Sequence, residues 1–219
     1  TVSLSVLTFK TISDVSEILN HPVSNTEYEE NIAARFEAKF FLSDDKKLPY
    51  RFLQPLGYDS TKKYPLVICL HGSSGRGIDN VKQVSRSLMA TNLSTPENRE
   101  KYPAFIFVPQ CPPNSEWGGI GHLPEFNPSI LNAIDSLENV YAIDTTRLYL
   151  TGYSMGGYGV WDLIGTHPNK FAAAVPMCGA GNPNLAKNMV DVPLWAFHGL
   201  KDRNVLVRGS RDVVKAIED

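Results

Sequence analysis

The pentapeptide Gly152-Tyr153-Ser154-Met155-Gly156 is the stretch whose residue types and spacing point most directly to chemistry. It follows an apolar run, Arg147-Leu148-Tyr149-Leu150-Thr151, and precedes a helical pattern from about Met155 to Thr166. A serine hydroxyl is a weak nucleophile unless a sharp strand-to-helix turn holds it exposed. Small residues two before and two after it leave room for that strained backbone. A helix starting directly behind the serine also aims its free N–H groups at the place where a carbonyl oxygen gains charge. The chemistry that fits such a turn is attack on a carbonyl carbon.

Two other turns follow apolar runs in the same way. His71-Gly72-Ser73-Ser74-Gly75 comes after Leu66-Val67-Ile68-Cys69-Leu70, and His198-Gly199-Leu200-Lys201-Asp202 comes after Leu194-Trp195-Ala196-Phe197. A tetrahedral oxyanion needs two convergent donors, so the N–H groups of Met155 and Ser73 are the candidates. His71 reads as fixing its own loop by hydrogen bonding rather than as a base. Asp202 follows Ser154 in chain order, as a carboxylate that orients an imidazole and stabilises its protonated form would in a Ser…Asp…His arrangement. The competing reading of Asp202 is a surface turn residue.

These turns require a particular set of elements. Arg35 to Leu42 and Leu48 to Leu53 alternate loosely about a turn at Ser43-Asp44-Asp45-Lys46, which predicts an antiparallel hairpin. Fully apolar strands are expected at Leu66 to Leu70 and Ala104 to Val108, with further strands at Arg147 to Thr151, Phe171 to Met177 and Leu194 to Phe197. Helical patterns separate them: Val81, Val84, Ser85 and Leu88 share one face; Asn127 to Tyr141 opens on a capping Asn followed by Pro; another helix runs from about Gly209 to the end. The fold class is therefore α/β, a mostly parallel sheet with an antiparallel N-terminal hairpin. Residues 1–35 read as an N-terminal extension and 36–219 as the domain.

Composition narrows the function. The 219 residues carry 21 Lys and Arg against 23 Asp and Glu, a formal charge of −2, so no basic footprint points to nucleic acid or an anionic membrane surface. The apolar runs are far shorter than the roughly 20 residues that span a bilayer. Cys69, Cys111 and Cys178 are widely spaced, an odd set that reads as structural thiols and not as a metal site or disulfide framework. Thr1 opens the chain with no signal-peptide core behind it, and the expectation is a mature chain or a piece of a larger, secreted protein.

Together, the turns at His71-Gly72, Gly152-Tyr153-Ser154-Met155-Gly156-Gly157 and His198-Gly199-Leu200-Lys201-Asp202 resemble those of the α/β-hydrolase serine esterases. The closer likeness is to the phospholipase/carboxylesterase branch that includes "predicted peptidases", polyhydroxybutyrate depolymerase-like and feruloyl esterase-like proteins. Supporting stretches are Leu48-Pro49-Tyr50-Arg51, Tyr64-Pro65-Leu66, Arg76-Gly77-Ile78-Asp79-Asn80, and Pro109-Gln110-Cys111-Pro112 followed by Trp117. The resemblance covers residues 36–219. It implies Ser154 as nucleophile, Asp202 as acid, Ser73 and Met155 as oxyanion donors, no cofactor or metal, and a small-molecule or polymer-linked ester as substrate.

The departure is the histidine. In that family it follows the acid by a few tens of positions, after one more strand, whereas 17 residues follow Asp202 here and none is His. The favoured expectation is that the last strand and the His loop lie outside this chain, which would then be nearly inactive and leave an open parallel sheet edge. The alternatives are His122 serving as base from the Trp117 to Pro124 loop, or a non-catalytic binding domain. A serine peptidase is the rival activity. Trp117, in a Gly-rich loop, is the candidate substrate contact, and Trp161 reads as core. The Pro112 to Pro128 loop is the only cap-like stretch, so short or bulky accessible esters are expected.

Overall fold

Unbroken apolar runs become central strands when helices cover both faces, and that pattern organises the computed structural model, which describes residues 2–5, 25–43 and 46–219. The elements in chain order are β1 (Val2–Ser5), α1 (Asn25–Ala33), β2 (Glu37–Ser43), β3 (Lys46–Leu53), β4 (Tyr64–Leu70), α2 (Lys82–Ser85), α3 (Leu88–Leu93), α4 (Pro96–Lys101) and β5 (Phe105–Pro109). They continue with α5 (Asn127–Val140), β6 (Ile143–Tyr153), α6 (Met155–Thr166), β7 (Ala173–Met177), α7 (Ala186–Met189), β8 (Leu194–Phe197) and α8 (Arg208–Glu218). The described strands form one sheet in the order β1-β8-β7-β6-β4-β5-β3-β2. From β1 to β5 every neighbouring pair is parallel; β5 with β3 and β3 with β2 are antiparallel.

Side-chain alternation splits the core between the two faces. Leu66, Ile68 and Leu70 of β4 and Phe105 and Phe107 of β5 join the larger cluster with Ile130 and Ile134 of α5 and Val160, Trp161 and Leu163 of α6. Val67 and Cys69, with Ile106 and Val108, point the other way, onto Ile32, Phe36, Val84 and Ala90. Each fully buried Leu, Ile or Phe contributes about 1.5–3 kcal/mol relative to exposure, so the central strands β4 and β5 are anchored from both sides. Trp161 is buried, as expected of a core residue.

Four features differ from the sequence expectations. Leu88 is 79% exposed, because the helical face begun at Val84 breaks at Arg86 and a new helix starts with the Ser87 side chain accepting from the Ala90 N–H. Asn127 does not cap α5: Phe126 occupies the cap position and the Asn127 amide donates instead to Asp162 Oδ2 at 2.7 Å. The stretch read as an N-terminal extension contributes a strand and a helix, β1 and α1. The edge beyond β8 is not open, since Val2–Ser5 pairs with Leu194–Phe197 in parallel. The turn at Asp44-Asp45 lies outside the described residues.

Candidate active site

Ser154 sits at the junction of β6 and α6 with φ +53° and ψ −120°, a backbone that L-residues rarely adopt. Its N–H donates to Met177 O at 2.9 Å and its carbonyl accepts from the Tyr158 N–H at 3.1 Å, so strand β7 and the first turn of α6 hold the strained turn from both sides. The flanking glycines are needed for space: a Cβ on Gly152 would lie 2.6 Å from Gly156 O, and one on Gly156 would collide with the Leu70 carbonyl. Ser154 is half-buried, and among the described residues its hydroxyl has no hydrogen-bond partner.

The loop after β4 turns through a single 3-10 turn, Ser73–Gly75. The His71 ring beneath it is fully buried. Because carbonyls only accept, Nδ1–H donates to Gly72 O at 2.6 Å, and Nε2 accepts from the Cys111 N–H at 3.0 Å. Burial is the main cause that lowers the His71 pKa to about 4, and the hydrogen-bond pattern is that of a neutral ring. Gln110 pins the other side of the loop, donating to Gly75 O and Asp79 Oδ1 and accepting from the Asn80 N–H. The sequence reading of His71 as a loop-fixing residue agrees with these contacts; the part played by Gln110 escaped it, although the residue lies in a stretch that carried the family likeness. Neither the Ser73 N–H nor the Met155 N–H donates to an acceptor among the described residues.

His71 also gives a test of this support. Replacing it by alanine strands the buried Cys111 N–H and opens a cavity, at an expected cost of at least about 2 kcal/mol at pH 7. In the native chain the folded pKa of about 4 lies below the ordinary 6.5, so between those values the unfolded state binds the extra proton. Stability is therefore complete above about 6.5 and falls toward about 4, by roughly 3 kcal/mol from this group. Urea unfolding at pH 7 and pH 5 checks both points: the His71→Ala variant is less stable at pH 7 and its stability depends less on pH.

Asp202 lies in the turn after β8. Its Oδ1 accepts from the Asn204 and Val205 N–H groups at 2.9 and 3.0 Å, and these bonds, the Val205 one foremost, hold its pKa below the usual carboxylate value. Oδ2 is 3.8 Å from His198 Nε2, and the side chain keeps 21% exposure. The Asp202 charge reaches the Ser154 turn: it adds to the burial that raises the pKa of Tyr158, on the first turn of α6, and of Cys178, which follows Met177.

The histidines divide clearly. His198 is fully engaged, with Nε2–H donating to Val205 O at 2.8 Å and Nδ1 bonded to Ser210 Oγ at 2.7 Å. His167 lies at the far end of α6, about 18 Å from Ser154 along a 12-residue helix. His122 is exposed, its backbone N–H on Glu116 Oε1, and among the described residues no hydrogen bond joins it to Ser154 or Asp202. His21 lies outside the described residues. The structure thus places the Ser154 turn, the Ser73 loop and Asp202 at the C-terminal ends of three parallel strands, β6, its neighbour β4, and β8 beyond β7, and among the described residues no hydrogen bond joins an imidazole to Ser154.

Trp117 is a correction. It was expected to meet substrate, yet it is 0% exposed; its Nε1–H donates to His71 O at 2.9 Å and its Cβ fills the space beside Gly159 on α6. It braces the loop after β4 from inside. A pocket of about 560 Å³ is lined instead by Met89, Val175, Met177, Cys178, Trp195, Phe197, His198 and Gly199, and Met177 is the residue whose carbonyl accepts the Ser154 N–H. The alternating strand residues Val175 and Met177 supply its apolar wall; their surroundings are set by tertiary packing and carried no sequence signal. Among the described residues no three His, Cys, Asp or Glu side chains group to hold a metal, and no helix is long and apolar enough to cross a membrane.

The sheet order and the Ser154 turn define the α/β-hydrolase fold, and comparison with known proteins agrees. Residues 128–187 match the prolyl oligopeptidase family. The crystal structure of a thermostable esterase superposes with a TM-score of 0.82 at 38% identity, over 86% of this chain and 52% of that one. A bifunctional acetylxylan esterase/xylanase of Neocallimastix patriciarum is 38% identical over 69 residues, 32% of this chain and 10% of that protein. Poly(3-hydroxyalkanoate) depolymerase C of Paucimonas lemoignei is 28% identical over 124 residues, 52% of this chain and 28% of that protein. The chain therefore spans about half of the esterase structure and smaller parts of the two other relatives. These likenesses support the α/β-hydrolase fold, and the esterase names are those of the similar proteins.

Proposed function

We propose that the chain is the core of a serine carboxylesterase. The observation that carries this reading is Ser154, a non-glycine residue held at φ +53° at the end of a central parallel strand with its hydroxyl unengaged. Its Oγ attacks the ester carbonyl carbon while an imidazole takes the hydroxyl proton, and the Met155 and Ser73 N–H groups hold the oxyanion. The alcohol leaves with that proton, and water then repeats the attack on the acyl-enzyme and releases the acid. Asp202 accepts a hydrogen bond from the imidazole through Oδ2, the oxygen its turn leaves free. The imidazole itself comes from outside the described residues.

Substrate size follows from the loop around residue 120. It folds back on itself, with Glu116 bridging to Glu125 and the Glu116 carboxylate accepting from the Gly121 and His122 N–H groups, so that Gly121 to Glu125 point to solvent. An open site of this kind suits short or bulky esters. Initial rates of the natural full-length protein on 4-nitrophenyl acetate, butyrate and palmitate are expected to favour acetate or butyrate; a preference for palmitate contradicts this. The prolyl oligopeptidase match over residues 128–187 keeps a serine peptidase as the second reading. Cleavage of peptide anilides without ester turnover would establish it.

A further inference from the structure

We propose that Tyr153 is a positioning residue that ties the oxyanion loop to the nucleophile turn, an inference that rests on the serine-hydrolase reading above. The two N–H groups assigned to the oxyanion come from separate elements: Met155 is fixed to Ser154 at the start of α6, whereas Ser73 belongs to the loop after β4. Donors aimed at a developing charge act only if their spacing is held to a fraction of an ångström. His71 and Gln110 hold the loop from the β5 side. Tyr153, the last residue of β6 and the neighbour of Ser154, holds it from the nucleophile side.

Its ring lies directly on Gly72, the residue before Ser73: a Cβ on Gly72 would be 2.7 Å from Tyr153 Cε2 and 2.9 Å from Cζ. The phenol O–H donates to Arg86 O at 2.5 Å, at the end of α2, and Ser74 Oγ lies 3.5 Å from the same oxygen. Arg86 in turn pairs with Glu29 of α1. One side chain thus touches the residue before Ser73 and the one after it, while its backbone leads straight into Ser154. The bond to Arg86 O fixes the ring, and a shift of the loop away from the turn would have to break the Gly72 ring contact and the Ser74 Oγ contact together.

The test is made in the natural full-length protein with Tyr153→Phe, which keeps the ring and removes the hydroxyl, and Tyr153→Ala, which removes both. Loss of one oxyanion donor costs about 10²–10³ in kcat, and a misplaced donor somewhat less. The expected result is a fall in kcat of about tenfold for Phe and about 100-fold for Ala, with KM within about twofold and affinity for a trifluoromethyl ketone weakened in parallel, since the donors act on the tetrahedral state. Rates are taken per folded molecule, from circular dichroism. A role in stability alone would lower Tm and leave kcat and ketone affinity unchanged, and that result overturns the proposal. If Tyr153→Ala does not fold, Tyr153→Phe decides. Ser154→Ala separates the two layers: turnover surviving in it removes the serine-hydrolase reading and this inference with it, whereas turnover lost in Ser154→Ala but intact in both Tyr153 variants removes this inference alone.

Discussion

Replacing Ser154 by alanine is expected to lower kcat/KM for short esters by at least about 10³-fold, because the covalent route closes and only binding and the oxyanion donors remain. The fold should be untouched. Alanine at φ +53° carries the same backbone strain, so its unfolding midpoint should match the native protein, whereas Ser154→Gly relieves the strain and should raise stability by about 1–2 kcal/mol while being equally inactive. Paired rate and urea-unfolding measurements on the two variants check this. Stability gained and activity lost at one residue would show that the turn is held strained for chemistry. Full turnover in either variant would mean that Ser154 is not the nucleophile.

Asp202→Asn is expected to cost about 10³–10⁴ in kcat. An asparagine can still accept the Asn204 and Val205 N–H bonds through its amide oxygen, so the turn after β8 should persist. What it loses is the negative charge that stabilises a protonated imidazole. The sign of its pH effect is also fixed. Folding lowers the Asp202 pKa, so the stability it contributes is present above the ordinary carboxylate value and is lost as pH falls through the lower folded value. The Asn variant should lack that acid-side decline while remaining folded at pH 7. Steady-state kinetics at pH 7 and urea titrations from pH 3 to 7 test the two halves. An unchanged kcat returns Asp202 to a surface turn residue.

The parts of this site that were legible in the sequence are those fixed by local geometry. A G-x-S-x-G turn needs only the strand before it, the helix behind it and two small residues, all contiguous from Arg147 to Thr166. The central strands announced themselves as unbroken apolar runs because both faces are buried. What remained hidden depends on partners distant in sequence. Trp117 looks like an exposed aromatic in a glycine-rich loop until the His71 carbonyl, 46 positions away, is seen to accept its indole N–H. Asn127 has the look of a helix cap until Asp162 competes for its amide. Val2–Ser5 is too short to show periodicity, and its strand character comes from the β8 edge, nearly 200 positions on.

The histidine is the instructive case. The sequence shows that none follows Asp202, and the structure shows why the described ones do not substitute: His71 and His198 have both ring nitrogens committed, and no hydrogen bond links His122 or His167 to the Ser154 turn. A buried histidine whose two nitrogens are satisfied is a structural part of its loop, however close it lies to a catalytic motif.

The most direct test of an activated Ser154 is mass-spectrometric mapping of the adduct formed by a fluorophosphonate on the natural full-length protein, followed alongside ester turnover. The expected result is one adduct, on the peptide containing Ser154, accumulating in proportion to the loss of turnover. Turnover lost with Ser154 unmodified, or ester hydrolysis persisting in a protein that takes up no label, would contradict it.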